Sequence, residues 1–294
     1  MDINYELYKV FYYVATSLSF SEASKKLYIS QSAVSQSIKT LETKLGKSLF
    51  VRSTKKVTLT PAGNVLFKHI EPAMNLISRG ESQLLATSPL GLEQLHIGAS
   101  DTICRYFLVP YLKKFHEAYP HVPIKVTNAT SIQCVDLLNQ RKVDLIVTNF
   151  PNGYLNRSYI QKTVLDFKDA FIANPDAFPI KDKELSFEEL QKYPLMTLDR
   201  NSTTSEFLHQ LFLQKQLDLV PEIELSSNDL LIDLAKIGLG IAFIPDYCLT
   251  EKTDDLFVVK LKENLPSRQI AISANTVFPL SAAAERFLEL FPAL

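Results

Sequence analysis

The stretch FSEASKKLYISQSAVSQSIKTLETKLG, Phe20–Gly46, determines what is expected for the start of the chain. It predicts two short helices joined by a tight turn. The first helix is expected over residues 22–28, with the hydroxyl of Ser21 capping its free N–H groups. The second is expected over residues 31–45, with Ser30 as its N-cap and the glycine that follows as its C-terminal stop. This order of elements is typical of a helix-turn-helix.

The second helix has two faces of different chemistry. Apolar residues recur at helical spacing on one face: Val34, Ile38, Leu41 and Leu45. Polar residues form the opposite face near the N-terminus: Gln31, Ser32, Ser35, Gln36 and Lys39. Amides, hydroxyls and a cation in that arrangement suit the base edges and phosphates of a DNA major groove. An ordinary amphipathic helix with a solvated polar face remains an alternative, because helix-turn-helix patterns also occur by chance.

A β-hairpin is expected directly after this helix. Residues 49–51 and 57–59 predict two short strands around a polar turn at residues 53–56. Three cations of this hairpin are expected to contact phosphates or enter the minor groove: Arg52, Lys55 and Lys56. Such a hairpin beside a recognition helix is a wing, and a winged helix-turn-helix is a more specific signal for DNA binding than two helices alone.

Formal charge is divided unevenly along the chain. Residues 1–60 contain nine Lys and Arg against four Asp and Glu, a net +5, whereas the other 234 residues contain 22 against 28, a net −6. A small basic unit joined to a larger acidic one is expected when only the first meets nucleic acid. The predicted partner of residues 1–60 is therefore double-stranded promoter DNA.

A long helix is expected after the wing. Thr60 and Pro61 predict its start, as N-cap and first helical residue, and it is expected to continue to residue 87. Pro72 is expected to kink it. Its apolar stripe is longer than a small winged domain can cover, so pairing with the same helix of a second chain is predicted. This favours a homodimer.

From Leu92 onward strands alternate with helices, including a helix expected over 102–118 and a strand over 143–148, which predicts a parallel α/β sheet. Ligands of such sheets bind at the carboxyl ends of strands, beside helix N-termini. Four corners carry groups suited to a small polar or anionic ligand: Ser100, Asp101 and Thr102; Thr130 and Ser131; Thr148 and Asn149; and Asn201, Ser202, Thr203 and Thr204. The Asp101 carboxylate opposes an anion, and Arg105 is expected to compensate for it. Ordinary helix capping remains the alternative for each corner residue.

The segment from Ser19 to Gly63 closely resembles the N-terminal signature of the LysR-type transcriptional regulators. The matching elements are Ala23, Ser30–Ser35, Leu41–Glu42, Leu45–Gly46, Leu49–Phe50, Arg52 and Leu59–Gly63. Three later runs resemble the effector domain of that family: IGAS at 97–100, DLIV at 144–147 and GLGIAFIP at 238–245. The resemblance covers essentially the whole chain, and Thr130, Ser131 and Ser202 match positions that the family uses in its effector site.

The resemblance implies a winged helix-turn-helix DNA-binding domain at 1–60, a linker and dimerisation helix at 61–88, and an effector-binding domain at 89–294. That last domain is expected to resemble a periplasmic binding protein, with two α/β lobes joined by two crossover strands. The implied lobes are 89–165 plus 268–294 for lobe I, and 166–267 for lobe II. Members of the family form homodimers or homotetramers and bind a small metabolite in the cleft, which changes how promoter DNA is bound or bent.

Composition and motifs argue against other classes. The chain has 294 residues, 46% hydrophobic and 21% charged, which is typical of globular units with real cores. It has neither a membrane-length apolar run nor the pattern of a signal peptide, so a cytoplasmic location without membrane contact is expected. A free-standing solute receptor would need such a signal and would leave residues 1–60 without a role.

An enzyme is not expected, because no HExxH, GxSxG or Walker sequence is present and the five histidines lack metal-binding spacing. No cofactor and no metal are expected either. The three cysteines are widely spaced and fit no disulfide framework. Cys104 lies near the proposed cleft, so a redox switch at this residue remains a variant of the regulator hypothesis, with an inert, partly buried thiol as the alternative.

Overall fold

The computed structural model of the protein describes residues 3–52, 57–85, 94–155, 159–275 and 280–291. The chain divides into two compact units, Met1–Thr87 and Ser88–Leu294. The first contains helices α1 (Tyr5–Ser17), α2 (Phe20–Leu27), α3 (Gln31–Leu45) and α4 (Pro61–Leu85), and strands β1 (Phe50–Arg52) and β2 (Val57–Leu59). The predicted winged helix-turn-helix is confirmed by this order of elements.

The core of the first unit forms where α1, α2 and α3 meet. Val34, Ile38 and Leu41 of α3 are completely buried, as their helical spacing predicts, and they pack with Phe11 and Val14 of α1. Burying each such side chain contributes about 1.5–3 kcal/mol. The apolar face of α3 is therefore locked into the core, which leaves its other face to solvent.

The start of α2 differs from the prediction. The helix begins at Phe20, and its N-cap is Ser19, whose Oγ accepts a hydrogen bond from the N–H of Glu22. The predicted cap, Ser21, instead lies exposed within the first turn. Phe20 explains the shift, because its buried ring packs on Phe50 and is positioned by the helix it begins.

The wing hairpin begins one residue later than predicted. Strand β1 pairs antiparallel with β2, with Phe50 opposite Leu59 and Arg52 opposite Val57. Leu49 precedes the paired residues; its N–H donates to the carboxylate of Glu42 on α3 at 2.7 Å, and its carbonyl accepts from the N–H of Thr60 at 2.9 Å. The predicted turn at residues 53–56 lies outside the described residues.

Helix α4 starts as predicted. The hydroxyl of Thr60 accepts from the N–H of Gly63 at 3.0 Å, and Pro61 is the first helical residue. Leu66, Phe67 and Ile70 pack on the three-helix core. The helix continues through Pro72 to Leu85. Residues 86–93, which include the predicted end of the helix, lie outside the described residues.

The second unit is built around two five-stranded sheets. Its strands are β3 (Leu95–Ala99), β4 (Ile124–Asn128), β5 (Leu145–Phe150), β6 (Tyr159–Phe167), β7 (Asp169–Ala173), β8 (Glu184–Leu185), β9 (Leu195–Leu198), β10 (Ile223–Leu225), β11 (Ile241–Pro245), β12 (Phe257–Val258), β13 (Lys260–Leu261) and β14 (Arg268–Asn275). Its helices are α5 (Asp101–Ile103), α6 (Val109–Ala118), α7 (Ser131–Asn139), α8 (Phe187–Leu190), α9 (Thr203–Gln214), α10 (Asn228–Lys236) and α11 (Ala282–Glu289).

Each sheet belongs to one lobe. The first sheet has the order β4-β3-β5-β14-β6 and the second the order β10-β9-β11-β7-β12, while β13 and β8 form a short separate pair. The long strands β6 and β14 pair antiparallel from Tyr159–Asn275 to Phe167–Arg268. Directly after this last pair the chain enters β7 of the second sheet, so β6 and β14 mark the crossover between the lobes.

Two details of this unit correct the sequence-based expectations. The sheets are mixed and not parallel, because the crossover strand β14 runs against β5 and strand β7 runs against β11. The helix predicted over 102–118 is interrupted by a π-helical segment, Cys104–Leu108, between α5 and α6. Such segments are rare and often occur at functional sites.

Candidate functional site

The N-terminal half of α3 presents the polar surface that the sequence predicts. Gln31, Ser32, Gln36 and Lys39 are exposed, and Ser35 is half-buried. The turn that precedes the helix is held by Ser30, whose Oγ accepts from the N–H of Ala33 and contacts the Ser32 hydroxyl at 2.9 Å. Lys39 forms no ion pair with any described residue, so its charge is free to meet a phosphate.

Of the three cations predicted for the wing, the structure describes the backbone of Arg52. Arg52 lies at the end of β1, where its backbone pairs with that of Val57. Lys55 and Lys56 lie outside the described residues. The position of the hairpin beside α3 is set by Glu42, which accepts from the backbone N–H groups of Leu49 and Phe50.

A cleft of about 440 Å³ opens between the two lobes of the second unit. Eight of the predicted effector residues line it: Ser100, Asp101, Thr102, Thr130, Ser131, Asn149, Ser202 and Thr203. Thr204, from the fourth predicted corner, also lines it. The carboxyl ends of β3 and β5 and the ends of β9 and β10 thus meet at one place, as open α/β sheets predict.

Four helix N-termini open into this cleft. The N-cap residues Ser100, Thr130, Ser202 and Ser227 all line it, and the hydroxyl of each accepts from a backbone N–H three residues on. Capping and cleft lining are therefore not alternatives here, because the same residues do both. The first two N–H groups of each helix remain without helical partners, which favours ligands that accept hydrogen bonds.

The prediction that Thr148 lines the cleft is wrong. It is completely buried and does not line the cleft. Strand β5 continues to Phe150, two residues beyond the predicted end, so Thr148 sits inside the sheet opposite Ala271 of β14. The next residue, Asn149, is the one that reaches the cleft.

The prediction for Arg105 is also wrong. It does not line the cleft, and its guanidinium lies 3.5 Å from the carboxylate of Asp229 on α10. Among the lining residues there are two carboxylates, Asp101 and Asp199, and neither lysine nor arginine. The Asp199 carboxylate accepts from the N–H of Asn201 at 2.9 Å.

Sequence reasoning missed several lining residues: Asn128, Ala129, Gln133, Leu198, Asp199, Ser226, Ser227, Asn228 and Tyr247. The run Ser226–Asn228 carried a usable signal, because it joins strand β10 to helix α10 in the same way as the predicted corners. Tyr247 carried none, since it lies in a short helical turn after β11 and only the fold brings its hydroxyl to the amide of Asn149 in lobe I.

Hydrogen bonds connect the lobes around the cleft. The amide of Asn228 donates to the Thr102 hydroxyl at 2.9 Å, and Tyr247 donates to Asn149 at 3.3 Å. Tyr106, in the π-helical segment, donates to Asp229 at 2.8 Å. Burial, and then this hydrogen bond to a carboxylate, raise the pKa of Tyr106 far above its usual value, so it remains a donor at every physiological pH.

A buried ion pair lies behind the lobe II wall of the cleft. Arg268, the first residue of β14, donates to the Asp169 carboxylate at 2.9 Å, and both side chains are at most 1% exposed. Burial raises the pKa of Asp169, and the guanidinium beside it partly offsets that rise. Arg268 also donates to the hydroxyls of Thr204 and Thr203, at 3.2 and 3.4 Å.

The three cysteines are free thiols. Burial raises the pKa of Cys104, with a smaller contribution from Asp101, and it raises the pKa of Cys134 to about 12. A thiolate is the reactive form of cysteine, so these values do not favour a redox switch.

We expect Cys104 to react with iodoacetamide at pH 7.5 several-fold more slowly than glutathione, and to accelerate at a higher pH than glutathione does. The reason is that the thiol keeps its proton below its raised pKa. Mass spectrometry of the alkylated peptide at a series of pH values measures the rate, with Cys104→Ser as the blank. Fast labelling at neutral pH would contradict the assignment.

Other kinds of site find no support within the described ranges. No three His, Cys, Asp or Glu side chains among those residues come together as a metal site requires. None of the described helices combines the length and hydrophobicity needed to cross a bilayer.

Comparison with known proteins places this architecture in a family. Residues 5–64 match the model of the bacterial regulatory helix-turn-helix proteins of the lysR family, and residues 91–293 match the LysR substrate binding domain. A probable RuBisCO transcriptional regulator of Phaeodactylum tricornutum (strain CCAP 1055/1) is 28% identical over 283 residues, which cover 93% of this chain and 91% of the relative.

Two solved structures share the fold. Full-length CbnR, complexed with its target DNA, superposes with a TM-score of 0.66 at 16% identity and covers 98% of both chains. The regulatory domain of CcmR from Synechocystis PCC6803, in complex with 2-PG, superposes with a TM-score of 0.61 at 20% identity and covers 67% of this chain and 95% of that domain. The two family matches together span nearly all of the sequence, and the protein therefore belongs to the LysR family of transcriptional regulators.

Proposed function

We propose that this regulator reads one promoter sequence with the N-terminal half of α3, and that a small polar effector in the cleft controls how it binds or bends that DNA. The observation that carries the proposal is the convergence of four capped helix N-termini on one cavity of about 440 Å³. A cavity of this size accommodates a metabolite. The complexes of CbnR with DNA and of the CcmR regulatory domain with 2-PG, although described for those proteins only, support the same division of labour.

On the DNA side we assign base contacts to Gln31, Ser32, Ser35 and Gln36 and phosphate contacts to Lys39, Arg52, Lys55 and Lys56. On the effector side we assign Ser100, Asp101, Thr102, Thr130, Ser131, Asn149, Ser202 and Thr203. The described part of the chain supports these roles by exposure on α3 and by lining of the cleft.

The proposal includes self-association through α4. Val65 and Ile77 of this helix are 62% and 38% exposed, and a second copy of the helix can cover them. A homodimer, or a homotetramer built from two of them, matches the two-fold symmetry of palindromic half-sites. Because promoter DNA is the partner, the cytoplasm is the proposed location.

Replacing Gln31 or Ser35 by alanine is expected to weaken binding to the specific promoter site by about 1–3 kcal/mol, because each removes a group placed to read a base edge. Binding to unrelated DNA should change much less. Fluorescence anisotropy with specific and scrambled duplexes at one salt concentration measures both. Thr43→Ala, an exposed change at the far end of α3, is the matched control; equal losses on both duplexes would reject the assignment.

The double variant Thr130→Ala/Ser202→Ala is expected to abolish the response of DNA binding to effector while DNA affinity without effector is kept. Both changes also remove an N-cap, at about 1 kcal/mol each. Ser186→Ala/Ser281→Ala removes two N-caps that do not line the cleft and serves as the control for stability.

The effector for this experiment comes from a thermal-shift screen of small metabolites on the full chain, followed by DNA footprinting with each hit. A ligand that shifts the footprint of the wild type and of the control, but not of the cleft variant, supports the proposal. A wild-type response in the Thr130→Ala/Ser202→Ala variant would move the site elsewhere.

A further inference from the structure

Tyr28 is the residue at which α2 ends and the turn to α3 begins. Its backbone lies in the left-handed region, with a φ of 54°. The N–H of Tyr28 donates to the carbonyl of Lys25 at 3.3 Å, and the N–H of Ile29 donates to the carbonyl of Ser24 at 3.2 Å. These two bonds form a Schellman motif, in which the left-handed position is usually occupied by glycine because a Cβ is strained there.

The end of α3 shows the same motif with the usual residue. Gly46 has a φ of 65°, and its N–H donates to the carbonyl of Thr43. The N–H of Lys47 donates to the carbonyl of Glu42, which completes the second pair of bonds. The winged domain therefore contains one backbone motif twice, once with glycine and once with tyrosine. At residue 28 the chain accepts a strain that glycine would avoid.

The side chain of Tyr28 does not offset that strain within the domain. It is 95% exposed, and neither its ring nor its hydroxyl contacts another side chain in the described part of the chain. A single exposed tyrosine would need no explanation. A strained backbone that is not compensated by any contact of its own side chain is different, because such strain tends to persist where it serves a function. The ring is therefore available for a partner outside the winged domain.

The surroundings of Tyr28 indicate what that partner is. Residues 28–33 are all exposed, so the ring continues the surface that α3 presents through Gln31 and Ser32. Two lysines lie in the last turn of α2, directly before it. Both are exposed, and Lys26 forms no ion pair with any described residue. A strip that joins cations, a phenol, an amide and a hydroxyl suits the phosphates and grooves of DNA better than an apolar protein surface.

The order of the helices determines which part of the DNA is within reach. In a helix-turn-helix the second helix enters the major groove, and the first crosses the phosphate backbone. Tyr28 ends the helix that crosses the backbone and precedes the residues assigned to base contacts. Tyrosine is one of the side chains that donate hydrogen bonds to phosphate oxygens.

We propose that Tyr28 is a phosphate contact of this regulator, with its ring at the rim of the major groove and its hydroxyl donating to a phosphate oxygen beside the bases that α3 reads. The left-handed backbone directs the side chain out of the domain toward that phosphate. This inference rests on the proposed function, because it adds a residue to the DNA-binding surface assigned there.

A neutral phosphate contact differs measurably from the other two kinds of contact. Its loss lowers the affinity for every DNA sequence by the same factor, and the salt dependence stays unchanged because no cation is lost. Loss of a base contact, as in Gln31→Ala, lowers the affinity for the specific site alone. Loss of a cation at a phosphate, as in Lys39→Ala, flattens the slope of log K against log salt by about one unit.

The experiment measures fluorescence anisotropy of the full chain at several salt concentrations with two duplexes. One duplex is selected by the wild type from a random library, and the other is its scrambled version. Tyr28→Phe removes the hydroxyl alone, and we expect it to weaken binding to both duplexes by about three- to tenfold with an unchanged salt slope. Tyr154→Phe removes the same group from a 54% exposed tyrosine of the second unit and is expected to change neither affinity.

Tyr28→Gly separates DNA binding from stability. It relieves the left-handed strain and removes the ring, so we expect the melting temperature of the full chain to equal or exceed that of the wild type. Both DNA affinities should fall at least as far as in Tyr28→Phe. A tyrosine that served only the fold would give the opposite pattern, a lower melting temperature with unchanged DNA binding by the folded protein.

Wild-type affinity of both Tyr28 variants for both duplexes, a loss confined to the selected duplex, or a lower melting temperature of Tyr28→Gly would overturn the proposal. If DNA affinity is unchanged but promoter output in a transcription assay falls, the ring contacts a protein and not DNA. The proposed function is tested separately in the same titrations, since it fails if Gln31→Ala weakens binding to both duplexes equally, whatever the Tyr28 variants do.

Discussion

Replacing Arg268 by methionine is expected to lower the free energy of unfolding of the second unit by about 3–5 kcal/mol. The change leaves the Asp169 carboxylate buried without its partner, and an uncompensated buried charge is among the costliest defects in a protein. Chemical denaturation followed by circular dichroism measures the loss. Arg200→Met is the control, because Arg200 is exposed and its ion pair with Glu224, at 3.8 Å, should be worth no more than about 1 kcal/mol.

Two further measurements distinguish this cause from a simple loss of packing. Removing both charges in Arg268→Met/Asp169→Leu should restore most of the stability, since an apolar pair can replace a buried ion pair with little loss. The defect of the single variant should also shrink as the pH falls. Burial already raises the pKa of Asp169, and without the guanidinium that rise is larger, so the folded state binds a proton more readily than the unfolded state and gains stability at low pH. A loss that is independent of pH would point to packing.

Replacing Gly63 by alanine is expected to destabilise the first unit by about 3 kcal/mol and to abolish specific DNA binding at 37 °C. A Cβ at this position would lie 2.1 Å from the carbonyl oxygen of Leu49, far inside contact distance. That oxygen already accepts from the N–H of Thr60 at 2.9 Å, so the backbone there has little freedom to move. Overpacking against fixed backbone costs about this much.

Gly80→Ala is the matched control, since it places the same methyl group on the same helix. A Cβ there meets no atom within 4 Å, so the change should be neutral or stabilise the protein by up to about 1 kcal/mol through the better helix propensity of alanine. Thermal unfolding of both variants, together with DNA anisotropy, tests the pair. Similar melting temperatures for the two would show that α4 and the wing adapt more easily than their contact suggests.

The sequence predicted the ends of helices correctly where those ends depend only on neighbouring residues. The Ser30 cap and the Gly46 stop of α3, and the start of α4 at Thr60 and Pro61, appear as predicted. The same logic located three of the four helix N-termini of the cleft, and it applies equally to Ser227, which was overlooked.

Predictions were wrong where a distant contact outweighs the local pattern. Ser21 is as good a cap as Ser19, but burial of Phe20 against Phe50 starts α2 earlier. Thr148 follows an apolar run that reads as a finished strand, yet pairing with β14 extends that strand to Phe150.

The sequence by itself determined the order of the units, the recognition helix and the polar corners, because caps, turns and periodic apolar residues act over a few positions. Only the tertiary structure decided which side chains lie behind those corners. Arg268 and Asp169 are 99 residues apart, and their meeting behind Thr203 and Thr204 depends on the crossover between two sheets. No local pattern around Thr203 encodes a guanidinium that arrives from β14, because the hydrogen-bond partners of a buried side chain depend on which strands the fold brings together.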